Sequence, residues 1–427
     1  METLFHSVTL DTEKCVGCTN CIKHCPTEAI RVRGGKATIL SQRCIDCGEC
    51  IRVCPHHAKK ARHDSLDILQ NFQYTVALPA PALFGQFNNL DDIDIILTGL
   101  LELGFDSVFE VSRAAEIVSD ATRRLMAEGK LKKPVISSAC PAVVRLIQVR
   151  FPHLCDHVLP MKSPMEVAAA LARQRVMAQT GLSPDEIGII FISPCPAKVT
   201  DVRLPIGSDR SQVDGVLSIS NIYPQLVHKM DHLTHVDPLF KSGLIGVSWS
   251  FIGGEAAGLL NENHLSADGI QNVIKVLEEL EDDKLADLDF IELNACSGGC
   301  VGGVFTAENG YVARARIKRL RKYMPVSCNR ADDVGDLTAL QWNRPLEENP
   351  ALKLADNIED AMRLMQQADE VFDRLPNLDC GSCGAPSCRA LAGDVALGQA
   401  QETDCIFLMR QQIQEIASRL AGIGQTE

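Results

Sequence analysis

The sequence predicts an α/β chain, preceded by a small α+β domain and followed by a small helical module. Three observations predict this division. From Tyr74 onward, short apolar runs alternate with longer helical stretches, the pattern of strands joined by crossover helices. Eight of the 18 cysteines crowd into residues 15–54 around a Gly34-Gly35 turn. Four more follow a helical stretch near the end, at Cys380, Cys383, Cys388 and Cys405. The expected boundaries are 1–70, 71–328, a linker and helix over 329–374, and 375–427. At 427 residues, 46% of them apolar, the chain is long enough for several buried cores.

In the first domain, Cys15, Cys18, Cys21 and Cys25, then Cys44, Cys47, Cys50 and Cys54, each read C-x2-C-x2-C-x3-C-P, closed by Pro26 and Pro55. Residues 1–14 carry no apolar signal core, so a cytoplasmic location is expected. Thiols stay reduced there, and the cysteines therefore imply metal. The run is the bacterial ferredoxin signature, in which the fourth cysteine serves the other cluster. Two 4Fe-4S clusters follow, one on Cys15, Cys18, Cys21 and Cys54, the other on Cys44, Cys47, Cys50 and Cys25. Structural zinc is the alternative, but zinc uses separated C-x2-C pairs rather than quartets of this spacing. Between the quartets, Ala29 to Leu40 alternates about the glycine pair as a hairpin would. His24, His56 and His57 read as solvated, since each cluster already has four thiolates.

In the middle domain, helices are expected over Asp91–Leu103, stopped by Gly104, and Ala114–Glu128, stopped by Gly129. Strands are expected at Thr75–Leu78, Val108–Val111, Val135–Ser137, Gly188–Ser193, Val216–Ile219, Leu244–Ser248 and Phe290–Leu293. Three of these run directly into cysteine, at Cys140, at Cys195, and at Cys296 with Cys300. Sites of α/β sheets lie at the carboxyl ends of strands, so the three loops can converge and four thiolates can hold one cluster. Gly298, Gly299, Gly302 and Gly303 are expected to let backbone approach it. Any one of these cysteines alone is better read as a small buried hydrophobe. Four at matching strand ends outweigh that reading.

Ser138-Ala139-Cys140-Pro141, Pro194-Cys195-Pro196-Ala197-Lys198 and the stretch from Glu292 to Cys300 resemble the three signature motifs of the FeFe-hydrogenase catalytic domain. Lys162-Ser163-Pro164 and Ala80-Pro81-Ala82 resemble two further segments, so the likeness covers residues 1 to about 325. The resemblance implies a two-lobed α/β domain carrying an H-cluster. That group is a 4Fe-4S unit on Cys140, Cys195, Cys296 and Cys300, with Cys300 bridging to a two-iron unit that bears carbon monoxide, cyanide and a dithiolate. It also implies reversible oxidation of molecular hydrogen to protons. Lys198 would reach one cyanide, and backbone at Pro81 and Ala82 the other. The pattern also breaks. Ala139 stands where the family places a proton-relaying cysteine, Arg124 where a second relay carboxylate would follow Glu116 and Asp120, and Leu159-Pro160-Met161 where a serine is usual. Asn294 replaces a methionine beside the cluster loop. Slow turnover is therefore expected. Glu255, after Gly253-Gly254, is the candidate replacement relay; a helix N-terminal carboxylate is the competing reading.

A helix over Ala355–Phe372 leads into the last four cysteines, which resemble a small electron-transfer module with one 4Fe-4S cluster, zinc again being the alternative. The expected inventory is three 4Fe-4S clusters and the H-cluster. In a final helix over Thr403–Leu420, Ile406, Met409, Ile413, Ile416 and Leu420 form a stripe that reads first as intrachain packing, and otherwise as a face for a second copy or a regulator. This tail and the missing relay cysteine resemble the sensory branch of the family, which adds hydrogen sensing to the expectation. The rival readings are an electron-transfer or scaffold protein whose middle site holds only 4Fe-4S, and the iron-sulfur assembly branch. The net charge of −13 and the lack of an apolar span exclude nucleic acid and membrane as expected partners. A ferredoxin-like or other redox protein is expected instead. The basic stretch Arg314, Arg316, Lys318, Arg319, Arg321 and Lys322 reads as a solvated helix face, or as a dock for an acidic carrier. Cys155 and Cys328 read as structural.

Overall fold

The computed structural model describes residues 5–423. In the first domain the strands are β1 (Val8–Leu10), β2 (Ile30–Arg33), β3 (Lys36–Ile39) and β4 (Lys59–Ala61). The expected hairpin pairs β2 with β3 through Gly34 and Gly35, both at positive φ as a tight two-residue turn requires. β1 pairs antiparallel with β4, which closes the domain's two ends on each other.

The larger domain supplies β5 (Tyr74–Pro79), β6 (Ser107–Val108), β7 (Val135–Ile136), β8 (Ile187–Ser193), β9 (Gly215–Ser218), β10 (His264–Asp268) and β11 (Phe290–Asn294). They form two parallel sheets, in the orders β6-β5-β8-β9 and β10-β11-β7. The result is the two-lobed α/β architecture. All seven residues of β8 are buried, as the continuous apolar run Ile187-Gly-Ile-Ile-Phe-Ile-Ser demands of a strand covered on both faces. Its alternate residues divide between two cores. Ile189 and Phe191 pack with the helices Val111–Ala127 and Pro164–Thr180, while Ile190 and Ile192 pack with Asp94–Glu102 and Ile219–Asp231.

Three expectations need correction. Leu244–Ser248 is a short helix, not a strand, and its Gly246 lies so close to Ser112 that a Cβ would meet the Ser112 carbonyl. A five-residue run with three apolar side chains, Leu244, Ile245 and Val247, fits either element, and close packing against the helix Val111–Ala127 decides here. That same helix claims Val111, so the strand expected over Val108–Val111 ends at Val108. β10 went unread because its residues, His-Leu-Ser-Ala-Asp, are all half-buried and carry no apolar run.

The loop-like stretch after Arg330 is not detached. Ala331 and Leu340 are buried in the core of the first lobe, and the Lys162 N–H donates to the Leu340 carbonyl. The helix Ile358–Arg374 packs through Ala368 and Val371 on the last cysteine module, against Leu391 and Ala392. That module in turn sits on β2. Arg31 is bidentate to Asp394 at 2.7 and 3.0 Å, and the Val32 N–H donates to the Gly384 carbonyl at 2.8 Å. The final helix runs over Ile406–Ile423, and the stripe read first as intrachain packing is exposed at Met409, Ile413, Ile416 and Leu420. Among the described residues no helix is long and apolar enough to cross a membrane.

Candidate metal centre

The eight N-terminal cysteines fall into two groups. Cys15, Cys18, Cys21 and Cys54 line one cavity, the outer site. Cys25 belongs with Cys44, Cys47 and Cys50 in the inner site: burial first, then nearby negative charges with Cys25 among them, push Cys44 and Cys47 well above the ordinary thiol range. Backbone donors already point at sulfur, from Ala37 to Cys15, Ala29 to Cys25 and Ala58 to Cys54 at 3.2–3.4 Å. In the last module Cys388 and Cys405 are buried together with Cys383 beside them, and the charges of Cys380 and Cys405 both act on Cys383.

The middle cysteines come from both sheets. Cys195 follows β8 of one lobe; Cys140 follows β7, and Cys296 and Cys300 follow β11, of the other. Cys140, Cys195 and Cys300 line one cavity together with Pro81, Ala82, Ala139, Ser163, Lys198, Glu255, Glu292 and Asn294. Cys296 stands with them, for the charges of Cys195 and Cys140 both act on it. Cys300 counts as exposed only because its surface faces this cavity. Burial, followed by the neighbouring thiolates, raises Cys195 to about 11 and Cys296 to about 12. Four such thiols ionise together only around a strongly cationic group, which is what a cluster supplies. Ser163 adds a second sign of fit, because its buried hydroxyl has no hydrogen-bond partner and lines the cavity.

A Cβ on Gly299, whose φ is +88°, would come within 2.6–2.8 Å of backbone atoms of Phe251 and Ile252, and one on Gly303 within 2.1 Å of the Pro194 carbonyl. These two glycines let the Cys296–Cys300 loop close on the segment at Phe251 and on the Cys195 loop.

Lys198 donates to Asp201 at 3.1 Å and lines the cavity. Burial opposes its charge, but Asp201, with Cys195 and Glu166, more than offsets this and holds it above the ordinary lysine value. Glu255 lies in the first turn of the short helix Gly254–Gly258, where its Oε2 accepts from Ser137 Oγ at 2.6 Å. Ser137 Oγ in turn accepts from the Ala139 N–H at 3.2 Å. Burial and the charge of Glu292 raise Glu255 to about 8. Glu292 accepts from the N–H groups of Gly253 and Ala256 and from Asn294 Nδ2; burial still holds it at about 6. Sequence reasoning missed Glu292 as a site residue, although a carboxylate within the apolar run of β11 was a readable signal. Glu116 is occupied elsewhere, accepting from Gly243, Cys328 and Asn329, and Asp120 pairs with Arg123 and Arg124.

The inner site adjoins this cavity. Arg52 donates to the Gly302 carbonyl at 2.9 Å, Thr200 donates to Asp46 at 2.7 Å, and Cys47 packs in one core with Cys140 and Cys195.

Three family models match parts of the chain. The model of the iron only hydrogenase large subunit, C-terminal domain, matches residues 73–236 and 255–304, half of the chain. A 4Fe-4S dicluster domain matches residues 7–55, and an Fe-S cluster segment matches 375–407. The periplasmic Fe hydrogenase large subunit of Nitratidesulfovibrio vulgaris is 30% identical over 213 residues, 45% of this chain and 50% of that one. The nuclear prelamin A recognition factor of Mus musculus is 25% identical over 302 residues, 56% of this chain and 64% of that one. The chain thus spans half of the first relative and under two thirds of the second. Among solved structures, a variant of the FeFe-hydrogenase HydA1 of Chlamydomonas reinhardtii aligns over 65% of this chain and 92% of that one, at 17% identity and a TM-score of 0.48.

Proposed function

We propose, for a chain that belongs to the iron-only hydrogenase large-subunit family, slow reversible oxidation of molecular hydrogen, with electrons passed to a ferredoxin-like redox protein and the hydrogen level as the regulatory signal. The observation that carries this reading is the meeting of Cys140, Cys195, Cys300 and Lys198 with the hydroxyl of Ser163 and the carboxyls of Glu255 and Glu292 around one cavity. Cys140, Cys195, Cys296 and Cys300 would hold the 4Fe-4S part of an H-cluster, Cys300 also the two-iron unit. When bound, that unit would supply an open metal position that polarises hydrogen.

The remaining work falls to the chain. Lys198 is fixed by Asp201 and offers its other N–H donors to an anionic ligand in the cavity. Ala139 can take no proton. Two residues upstream, Ser137 instead bonds the carboxyl of Glu255, which at neutral pH is protonated while Glu292 is ionised. The pair therefore holds one proton at the cavity wall, and Glu255 takes the relay role. A relay displaced from its usual position accounts for slow turnover.

The test is an infrared spectrum of the anaerobic protein after addition of a matured or synthetic two-iron unit. Carbon monoxide and cyanide bands that shift under hydrogen are expected. Intact cubane clusters without such bands would refute the proposal in favour of an electron-transfer or scaffold protein.

A further inference from the structure

The two ferredoxin runs are close repeats, and they differ at a position that is buried in both. Cys25-Pro-Thr-Glu-Ala29-Ile30 matches Cys54-Pro-His-His-Ala58-Lys59. Ala29 and Ala58 do the same work, each donating its N–H to the sulfur four residues back, at 3.2 and 3.3 Å. Ile30 is 2% exposed and Lys59 is 3% exposed, so the lysine occupies a core position that its repeat fills with a hydrocarbon. β4 holds it there, paired with Leu10 of β1. Its Nζ is buried and makes no hydrogen bond, and it lines the outer cavity with Cys15, Cys18, Cys21 and Cys54. An isolated buried ammonium is costly, and here the compensating anions are the sulfurs of a metal centre. The next residue offers a contrast, for Lys60 is exposed and pairs with Asp11 at 3.1 Å.

We propose that Lys59 is a redox-tuning residue: its buried charge raises the reduction potential of the outer cluster. A reduced 4Fe-4S cluster carries one more negative charge than the oxidised form, so a fixed cation beside it favours the reduced form. The outer site also reaches the surface at Cys18 and Val16, where an electron can leave the protein. A lysine that stabilises the reduced outer cluster draws electrons toward that exit. This inference needs only the 4Fe-4S clusters, so it stands or falls separately from hydrogen chemistry.

The test is an EPR-monitored potentiometric titration of the full chain loaded with its cubanes and lacking any two-iron unit, the outer signal being identified by its loss in Cys18→Ser. In Lys59→Met, the reduced-to-oxidised ratio of the outer cluster at fixed potential should fall at least tenfold, about 59 mV for a one-electron couple. Lys59→Arg should stay within about twofold of the parent, and the exposed control Lys60→Met should not move. The last module's cluster should titrate unchanged in all of them. The proposal is overturned if Lys59→Met leaves the outer ratio in place, if Lys59→Arg shifts it as far, or if Lys60→Met shifts it equally. Should Lys59→Met and Lys59→Ile load no outer cluster, loading by Lys59→Arg supports the role of charge, and failure of all three variants overturns it.

Discussion

Replacing Asp394 by alanine would strip the last module of its main hold on the ferredoxin domain. Arg31 and Asp394 are paired through two short bonds, with side chains only 6% and 9% exposed, and Arg33 adds a third bond at 3.1 Å. Removing one partner of a buried pair costs about 3–5 kcal/mol, mostly because the other charge is left stranded. Arg31 Nη1 keeps the carbonyls of Glu28 and Ile30 at 2.8 and 3.2 Å, so the lower end applies here. At 1.4 kcal/mol per tenfold, a loss of about 3 kcal/mol raises the undocked population about 100-fold. Hydrogen exchange reads this at a single amide, because the Val32 N–H bonds the Gly384 carbonyl across the seam. Its exchange should quicken by about that factor, while amides in β8 stay unchanged. Asp394→Asn should fall between, and Arg31→Met with Asp394→Leu should recover much of the protection. Unchanged exchange at Val32, or equal acceleration throughout the ferredoxin domain, would refute the reasoning.

Two further outcomes follow from the middle site. With Glu255 held at about 8 by burial and by Glu292, the folded chain keeps a proton that the unfolded chain releases above about pH 4.5. Stability should therefore fall as pH rises toward 8, by at most about 1.4 kcal/mol per pH unit, and Glu255→Gln should flatten that slope in denaturant titrations between pH 6 and 8. An equal slope in the variant would place the titrating group elsewhere. Gly299→Ala would force a Cβ against the backbone of Phe251 and Ile252 at a φ of +88°. The middle cluster's EPR signal should vanish while the signals of the other clusters persist, and retention of all of them would show that the three loops can yield.

What the sequence disclosed was governed by distance along the chain. The cysteine quartets, the hairpin at Gly34-Gly35 and the strands that end at Cys140, Cys195 and Cys296 are local patterns, legible because thiolate geometry and strand periodicity each act over a few residues. The swapped partner of each quartet was read from the ferredoxin pattern, in which the fourth cysteine serves the other cluster. Contacts between distant segments were not. Arg31 and Asp394 stand 363 residues apart, and nothing near either residue marks the other. Glu292 was visible as a letter in a motif, yet its tie to Glu255 depends on the short helix Gly254–Gly258 lying over β11, which only packing sets. Leu244–Ser248 failed for a different reason: a five-residue run with apolar Leu244, Ile245 and Val247 satisfies strand and helix alike until a neighbour is present.

On the proposed reading, the proton-carrying groups sit on one lobe. Ser137, Glu255 and Glu292 all belong to the lobe built on β10-β11-β7, after β7, over β11 and within it. The ferredoxin domain meets the site at the loop of Cys195 and beyond Cys300, and its Cys47 packs in one core with Cys140. There Asp46 meets Thr200, Ser7 donates to the Pro196 carbonyl, and Arg52 holds Gly302. On the proposed reading, a proton passes into the wall of one lobe while an electron leaves across the seam to the inner cysteines. On that reading, Ala139 deprives the proton path of a donor while the ferredoxin contacts at Thr200, Pro196 and Gly302 do not involve position 139.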